Sequence, residues 1–324
     1  MQKNRSLLID FFRGSALITI IFIHSLVPYL SQPDIHKWWN WAQYAVQIFV
    51  FCSAYVFFSH EITKKEKLFP YFIRRIKRLL LPYFIFLASF IFILLITKPN
   101  TLSISYLFQS AFLIGGVDVN WLVVLFIELT VVFQLIKTFG KKGQTVYYSL
   151  AAISSILLLF CKLPVSFKLI MWLPWSVIIV YAQHIVKRET NVRFHLATLV
   201  VSVIVFLFAF ITLTSLGRST TFFDNKYPPN LFYLSYGVIW ISALYLFQPR
   251  LQSVIQKLTK PVLFFSTRSY SLFFIHTLVI TVMISLHLQQ SVYPISFFLS
   301  VFLTSICVQL VIDSFVNKFD TMRI

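Results

Sequence analysis

Beginning at residue 7, the chain runs apolar for about twenty residues, breaks at a charge cluster, a proline or a glycine, and runs apolar again. Ten such runs follow one another, at 7–29, 41–59, 79–97, 119–137, 145–161, 168–186, 195–215, 231–248, 262–282 and 293–315. A helix needs about twenty apolar residues to cross the hydrocarbon core of a bilayer. The pattern therefore predicts an all-α integral membrane protein of about ten transmembrane helices in a single domain, 1–324. A β-barrel is excluded, because its strands would alternate polar and apolar positions. The run 102–114 is apolar but too short to cross, and is expected to be re-entrant or interfacial. No internal repeat and no paired broken helices are apparent, which argues against a transporter built from repeats.

Composition agrees with the pattern. Of 324 residues, 58% are hydrophobic and 12% charged, about half the charge of a soluble domain. The positive charge falls mostly on one side. With the N-terminus in the cytoplasm, the inner segments hold Lys3, Arg5, Lys64, Lys65, Lys67, Arg74, Arg75, Lys77, Arg78, Lys137, Lys141, Lys142, Lys187, Arg188, Arg193, Arg250, Lys257, Lys260, Lys318 and Arg323. The outer ones hold only Lys37, Lys98, Lys162, Lys168, Arg218 and Lys226, so both termini are expected to be cytoplasmic. Charge spread over loops in this way excludes a nucleic-acid binder, although the net charge is +18. The N-terminal run is too long for a cleaved signal. Cys52, Cys161 and Cys307 lie apart in apolar runs and read as small hydrophobes.

Ionisable groups inside a span each cost about 2.5–3.5 kcal/mol on insertion scales and so call for a reason. The first span carries Asp10, Arg13 and His24. Asp10 and Arg13 can pair at i,i+3. Arg13 and His24 fall within about 20° of each other around the helix and about 16 Å apart along it. One face thus offers a guanidinium on the inner half and an imidazole towards the outer end. The bland alternatives are a snorkelling pair and an interfacial histidine. Glu128, midway along the fourth span, is either a buried packing residue or a group within reach of His24 or substrate. His276 in the ninth span is a second deep imidazole. No metal is expected, since no histidine pair has ligand spacing. The basic run ending Arg74-Arg75-Ile76-Lys77-Arg78 leads into the third span and would bind either lipid head groups or a phosphate-bearing ligand.

Together these residues resemble the membrane-bound acyltransferase-3 family, bacterial multi-pass enzymes that acylate sugars of surface polysaccharides. The resemblance covers nearly the whole chain. It rests on Ile9-Asp10-Phe11-Phe12-Arg13-Gly14 followed by His24, on Arg75 and Arg78 followed by Pro82-Tyr83, on Trp172-Leu173-Pro174, on Tyr227-Pro228-Pro229-Asn230 with Tyr233 and Gly237, and on Ser269-Tyr270 with His276. The chain departs from the family pattern at Ser53-Ala54-Tyr55, where Ser-Gly-Tyr is usual, and at Ser266, where glycine is usual. Glu128 also comes slightly later than the family's acidic residue. The resemblance implies transfer of an acyl group, most often acetyl, from cytoplasmic acetyl-CoA to a hydroxyl of a glycan or lipid-linked saccharide. His24, Arg13 and Glu128 would be catalytic. Arg75, Arg78, Asp10 and Tyr55 would hold acyl-CoA, while His276, Tyr270, Ser269, Trp121 and Tyr227 would contact or support the substrate. A bacterial cell membrane is the expected location and no appended soluble domain is expected. Homo-oligomers and separate glycan-assembly proteins remain open as partners. The alternatives are a saccharide transporter or flippase and a non-catalytic partner in polysaccharide assembly.

Overall fold

The computed structural model describes residues 6–61, 68–161 and 166–321. Lys3, Arg5, Lys64, Lys65, Lys67, Lys162 and Arg323 of the charge count lie outside the described residues. The described chain folds into fifteen α-helices: α1 Leu7–Leu26, α2 Pro33–Trp41, α3 Ala45–Glu61, α4 Leu68–Thr97, α5 Ile104–Ala111, α6 Asn120–Thr138, α7 Lys141–Phe160, α8 Phe167–Ile170, α9 Trp172–Val186, α10 Val192–Ser215, α11 Leu231–Leu246, α12 Gln248–Lys257, α13 Thr259–Thr267, α14 Ser269–Ser285 and α15 Pro294–Thr321. Several start where a short polar side chain accepts from a free amide of the first turn. Ser6 caps α1 through the Ile9 amide, Asn191 caps α10 through Phe194, and Asn230 caps α11 through Tyr233.

Among the described residues, eight helical segments are long and apolar enough to cross a membrane, or ten with each of two bent pairs taken as one span. The protein is therefore an all-α integral membrane protein. The bend between α13 and α14 corrects the sequence-based reading of a straight ninth span over 262–282. The two bent pairs together correct the reading that there are no paired breaks, while the bend after α11 falls at the end of the eighth span as read, 231–248. Helix α12 departs from α11 at 74°, where Pro249 enters the first turn of α12. Helix α14 departs from α13 at 75° at Arg268. Helices α12 and α13 carry Arg250, Lys257 and Lys260. A charged face explains the break better than a substrate site would, since such helices gain by leaving the hydrocarbon. The basic run enters α4 without interruption, so α4 spans 30 residues with Pro82 inside it.

Helices α1 and α3 form the centre. Phe12, Ala16, Leu17, Ile20 and Ile21 of α1 are buried, as are Val50, Phe51, Cys52 and Ala54 of α3. Helix α10, by contrast, exposes Val200, Val201, Ile204, Leu207 and Ile211, and α15 exposes Leu299, Leu303, Leu310 and Val311. In water such surfaces would be a liability; in lipid they need no cover.

Close approach depends on small residues. On α1, a Cβ at Gly14 would sit 3.2 Å from Phe265 Cβ of α13. On α11, Gly237 leaves room for Gln47 of α3, whose amide donates to the Tyr233 carbonyl. Tyr233 and Tyr236 reach back with their hydroxyls to the carbonyls of Gln43 (2.9 Å) and Trp41 (2.8 Å). Gly237→Val would place a Cβ 2.6 Å from Gln47 Cβ, a stiff part of that side chain. Overpacking of this kind costs about 1–3 kcal/mol. The variant is expected to lower the apparent Tm of the detergent-solubilised protein by several degrees, and an unchanged Tm would show that α3 and α11 do not depend on this contact.

Candidate active site

Towards the C-terminal end of α1, away from Asp10 and Arg13, the helices part around a cavity of about 820 Å³. Ligand pockets fall in the range of about 300–1,000 Å³. Its walls come from α1 (Ile20, Ile23 and His24), from the segment 114–122, from the loop 216–230 and from one face of α14 (Phe273, Thr277 and Thr281).

The segment after α5 is held in place from below. Tyr83 of α4 donates to the Ser110 carbonyl at 2.6 Å, and the Val117 amide donates to Ser110 Oγ at 3.1 Å. The turn requires Gly116, whose φ of +72° would strain a larger residue and whose absent Cβ leaves room for Ser110. Helix α5, within the run 102–114, exposes Ile104 and Phe108.

His24 anchors the inner wall. Its Nδ1 lies 2.8 Å from His276 Nε2, and His276 Nδ1 lies 3.0 Å from the Leu272 carbonyl oxygen. A carbonyl can only accept, so His276 Nδ1 carries a hydrogen and donates. In a neutral imidazole the other nitrogen then accepts, so His276 Nε2 takes a hydrogen bond from His24 Nδ1. His24 Nε2 is left as a proton acceptor on a residue that lines the cavity. The second deep imidazole of the sequence therefore sits against the first and orients it.

The opposite wall holds groups that the sequence reading passed over. Lys226, counted only as an outer-loop charge, is 6% exposed. Its ammonium lies 5.0 Å from the Trp121 ring centre and 5.1 Å from that of Tyr227, and donates to Gln43 Oε1 at 3.3 Å. Burial pushes this amine down to about 7. Burial also raises the Tyr227 phenol, with the Asp118 carboxylate adding to it. Lys168 donates to Asn120 Oδ1 at 2.6 Å and to the Leu113 carbonyl at 3.2 Å. The loop carrying Lys226 is stapled by Asn225, which donates to the carbonyls of Ser219 (2.9 Å) and Thr221 (2.7 Å). The neighbouring Tyr227-Pro228-Pro229-Asn230 was the available signal, because a motif beside a lysine gives that lysine a reason to be fixed.

The remaining sequence candidates divide between this cavity and the basic end. Trp121 and Tyr227 line the cavity with His24. Arg13 does not: its guanidinium reaches the Cys52 carbonyl of α3 at 3.4 Å, and fully buried Leu17 lies on α1 between it and the cavity. Asp10 accepts from Ser266 Oγ, so the serine that replaces the family's glycine supplies this carboxylate with a donor. Arg75 stacks at 6.0 Å over Phe133 of α6, its buried Nε has no hydrogen-bond partner among the described residues, and Arg13 and Arg78 lie within its electrostatic reach. Arg78 is exposed one turn away. Tyr55 donates to Glu189 Oε2 at 2.6 Å, and Tyr270 donates to the Leu79 carbonyl at 2.9 Å, fastening α14 to α4. Ser269 is buried at the start of α14. Glu128 does not line the cavity, and its Oε2 is buried without a hydrogen-bond partner among the described residues.

Comparison with curated proteins and with solved structures gives no match. Comparison with family models gives one, to the family described as an acyltransferase domain, over residues 7–313. Since that match takes in nearly the whole chain, the protein belongs to the acyltransferase-3 family and is a multi-pass membrane acyltransferase.

Proposed function

We propose that this chain transfers an acyl group, acetyl in the first instance, from acyl-CoA to a hydroxyl of a saccharide acceptor, glycan or lipid-linked, at the membrane of a bacterial cell. The observation that carries this reading is the hydrogen-bond chain from the Leu272 carbonyl through His276 to His24, which leaves His24 Nε2 free to take a proton at the cavity wall. A sugar hydroxyl is a poor nucleophile at neutral pH, and removing its proton in the transition state is worth about 10²–10⁴-fold. His24 accepts the hydroxyl proton as the oxygen attacks the thioester carbonyl. The carbon–sulfur bond then breaks, the ester forms, and the departing thiolate recovers the proton from His24. Backbone amides or side-chain donors of the wall would have to meet the tetrahedral oxyanion. The hydroxyls of Tyr270 and Tyr55 already donate elsewhere.

The donor would approach from the basic end. Arg75 and Arg78 are one turn apart on α4, and a pyrophosphate between them would give the buried Arg75 Nε an acceptor, which it does not find among the described residues. About 16 Å of helix separates Arg13 from His24. A pantetheine arm is thin enough to cross that span, but Leu17 and Ile20 are packed there, so delivery of the thioester requires their side chains to part.

Two measurements test the reading. Membranes carrying the intact chain are expected to move label from radiolabelled acetyl-CoA to saccharide, and His24→Ala is expected to lower that transfer by at least 100-fold. Transfer that survives the substitution would remove His24 from the chemistry. Replacing Arg75 and Arg78 together by glutamine is expected to raise the apparent KM for acetyl-CoA with expression intact. A KM that does not move would assign the basic run to lipid head groups.

A further inference from the structure

Lys226 takes no part in the proton transfer just described, yet it is among the most deeply placed cations of the described chain. A buried ammonium is costly unless it is paired. Among the described residues no carboxylate forms an ion pair with Lys226. Its contacts are two aromatic ring faces and one long hydrogen bond to the neutral oxygen of Gln43. An ammonium has three donors, so two remain for a ligand. Lys168 lines the same cavity but spends two of its three donors on Asn120 and Leu113, and its charge is countered by Asp118. Asp118, also on the wall, is exposed and lies within electrostatic reach of Lys168, which counters it.

We propose that Lys226 receives a negatively charged group of the acceptor, a carboxylate or a phosphate, and so makes the cavity selective for acidic saccharides. The inference rests on the acyl-transfer reading and names the substrate class within it. Three observations support it. The amine faces the same cavity as His24 and lies within its electrostatic reach, so an anion held by one wall leaves a hydroxyl of the same molecule free to meet the other. Trp121 and Tyr227 flank the amine and Phe223 lines the same cavity, so flat apolar rings are at hand on which the carbon–hydrogen face of a sugar ring can rest. Burial alone brings the amine down to about 7, and an opposite charge favours the protonated form, so an anionic ligand restores the charge that burial removes.

The test is binding to the detergent-solubilised full chain, by calorimetry and without acetyl-CoA, of probes paired to differ in charge. One pair is p-nitrophenyl β-glucuronide and p-nitrophenyl β-glucoside; the other is glucose 1-phosphate and methyl glucoside. At least one acidic probe is expected to bind tenfold or more tighter than its neutral partner, and the pair that shows this tells carboxylate from phosphate. Lys226→Gln is expected to bring the ratio within twofold of unity, while Lys226→Arg keeps it. Equal binding within both pairs, binding of none of the four, or a Lys226→Gln loss shared equally by acidic and neutral probes would overturn the proposal. If Lys226→Gln does not fold, the wild-type comparison decides by itself. Label transfer from acetyl-CoA to the same probes is read separately. Charge-selective binding without transfer would sink the acyl-transfer reading and leave the subsite standing, whereas transfer without charge preference would do the reverse.

Discussion

A carbonyl oxygen cannot donate a hydrogen bond, and the chemistry proposed for this protein follows from that constraint at Leu272. The carbonyl fixes the hydrogen of His276 on Nδ1, His276 in turn fixes the hydrogen of His24 on Nδ1, and the far nitrogen of His24 becomes a base. Two imidazoles on separate helices can act as one unit only if α1 and α14 are held at a fixed depth relative to each other. Contacts at both ends of α1 hold them, through α13 before α14 and through the turn after it. Near the start of α1, Ser266 donates to Asp10 and Gly14 admits Phe265. At its far end, Tyr29 donates to the carbonyls of Gln289 and Val292 beyond α14.

Around that pair, the protein separates two electrostatic environments. The basic end, with Arg75 turned inwards over Phe133 and Arg78 outwards, suits a polyanionic donor arriving from the aqueous phase. The cavity at the other end is mostly apolar, with a few polar groups fixed by their own hydrogen bonds, as small-molecule sites generally are. Buried Leu17 lies between them. On the proposed reading, donor and acceptor come from opposite faces that have to stay sealed from each other, and close packing at Leu17 would serve that end.

Much of this was legible in the sequence because lipid makes the rules strict. Apolar runs of twenty residues have few alternatives to spanning helices, and Asp10, Arg13, His24, Glu128 and His276 stood out because each is costly where it lies. The His24–His276 contact was not legible: the residues are 252 positions apart, and nothing in either helix states its rotation relative to the other. The bend at Arg268 was missed because the apolar run across 262–282 continues through it. Lys226 was missed for a different reason. A lysine in a loop is normally solvated, and only the fold shows that Trp121 and Tyr227 close over this one. The shared face of Arg13 and His24 was read correctly as helix geometry, yet a common face does not make a common cavity once Leu17 is packed between them.

The most direct test is a structure of the full chain with a non-hydrolysable acyl-CoA analogue in which a methylene replaces the thioester sulfur. The account predicts the adenine nucleotide phosphates at Arg75 and Arg78, the arm passing Leu17, and the acyl carbonyl carbon in the cavity within about 4 Å of the position a hydroxyl hydrogen-bonded to His24 Nε2 would occupy. An analogue seated with its carbonyl beside Glu128, or one that enters the cavity past Lys226 with its phosphates away from α4, would contradict it.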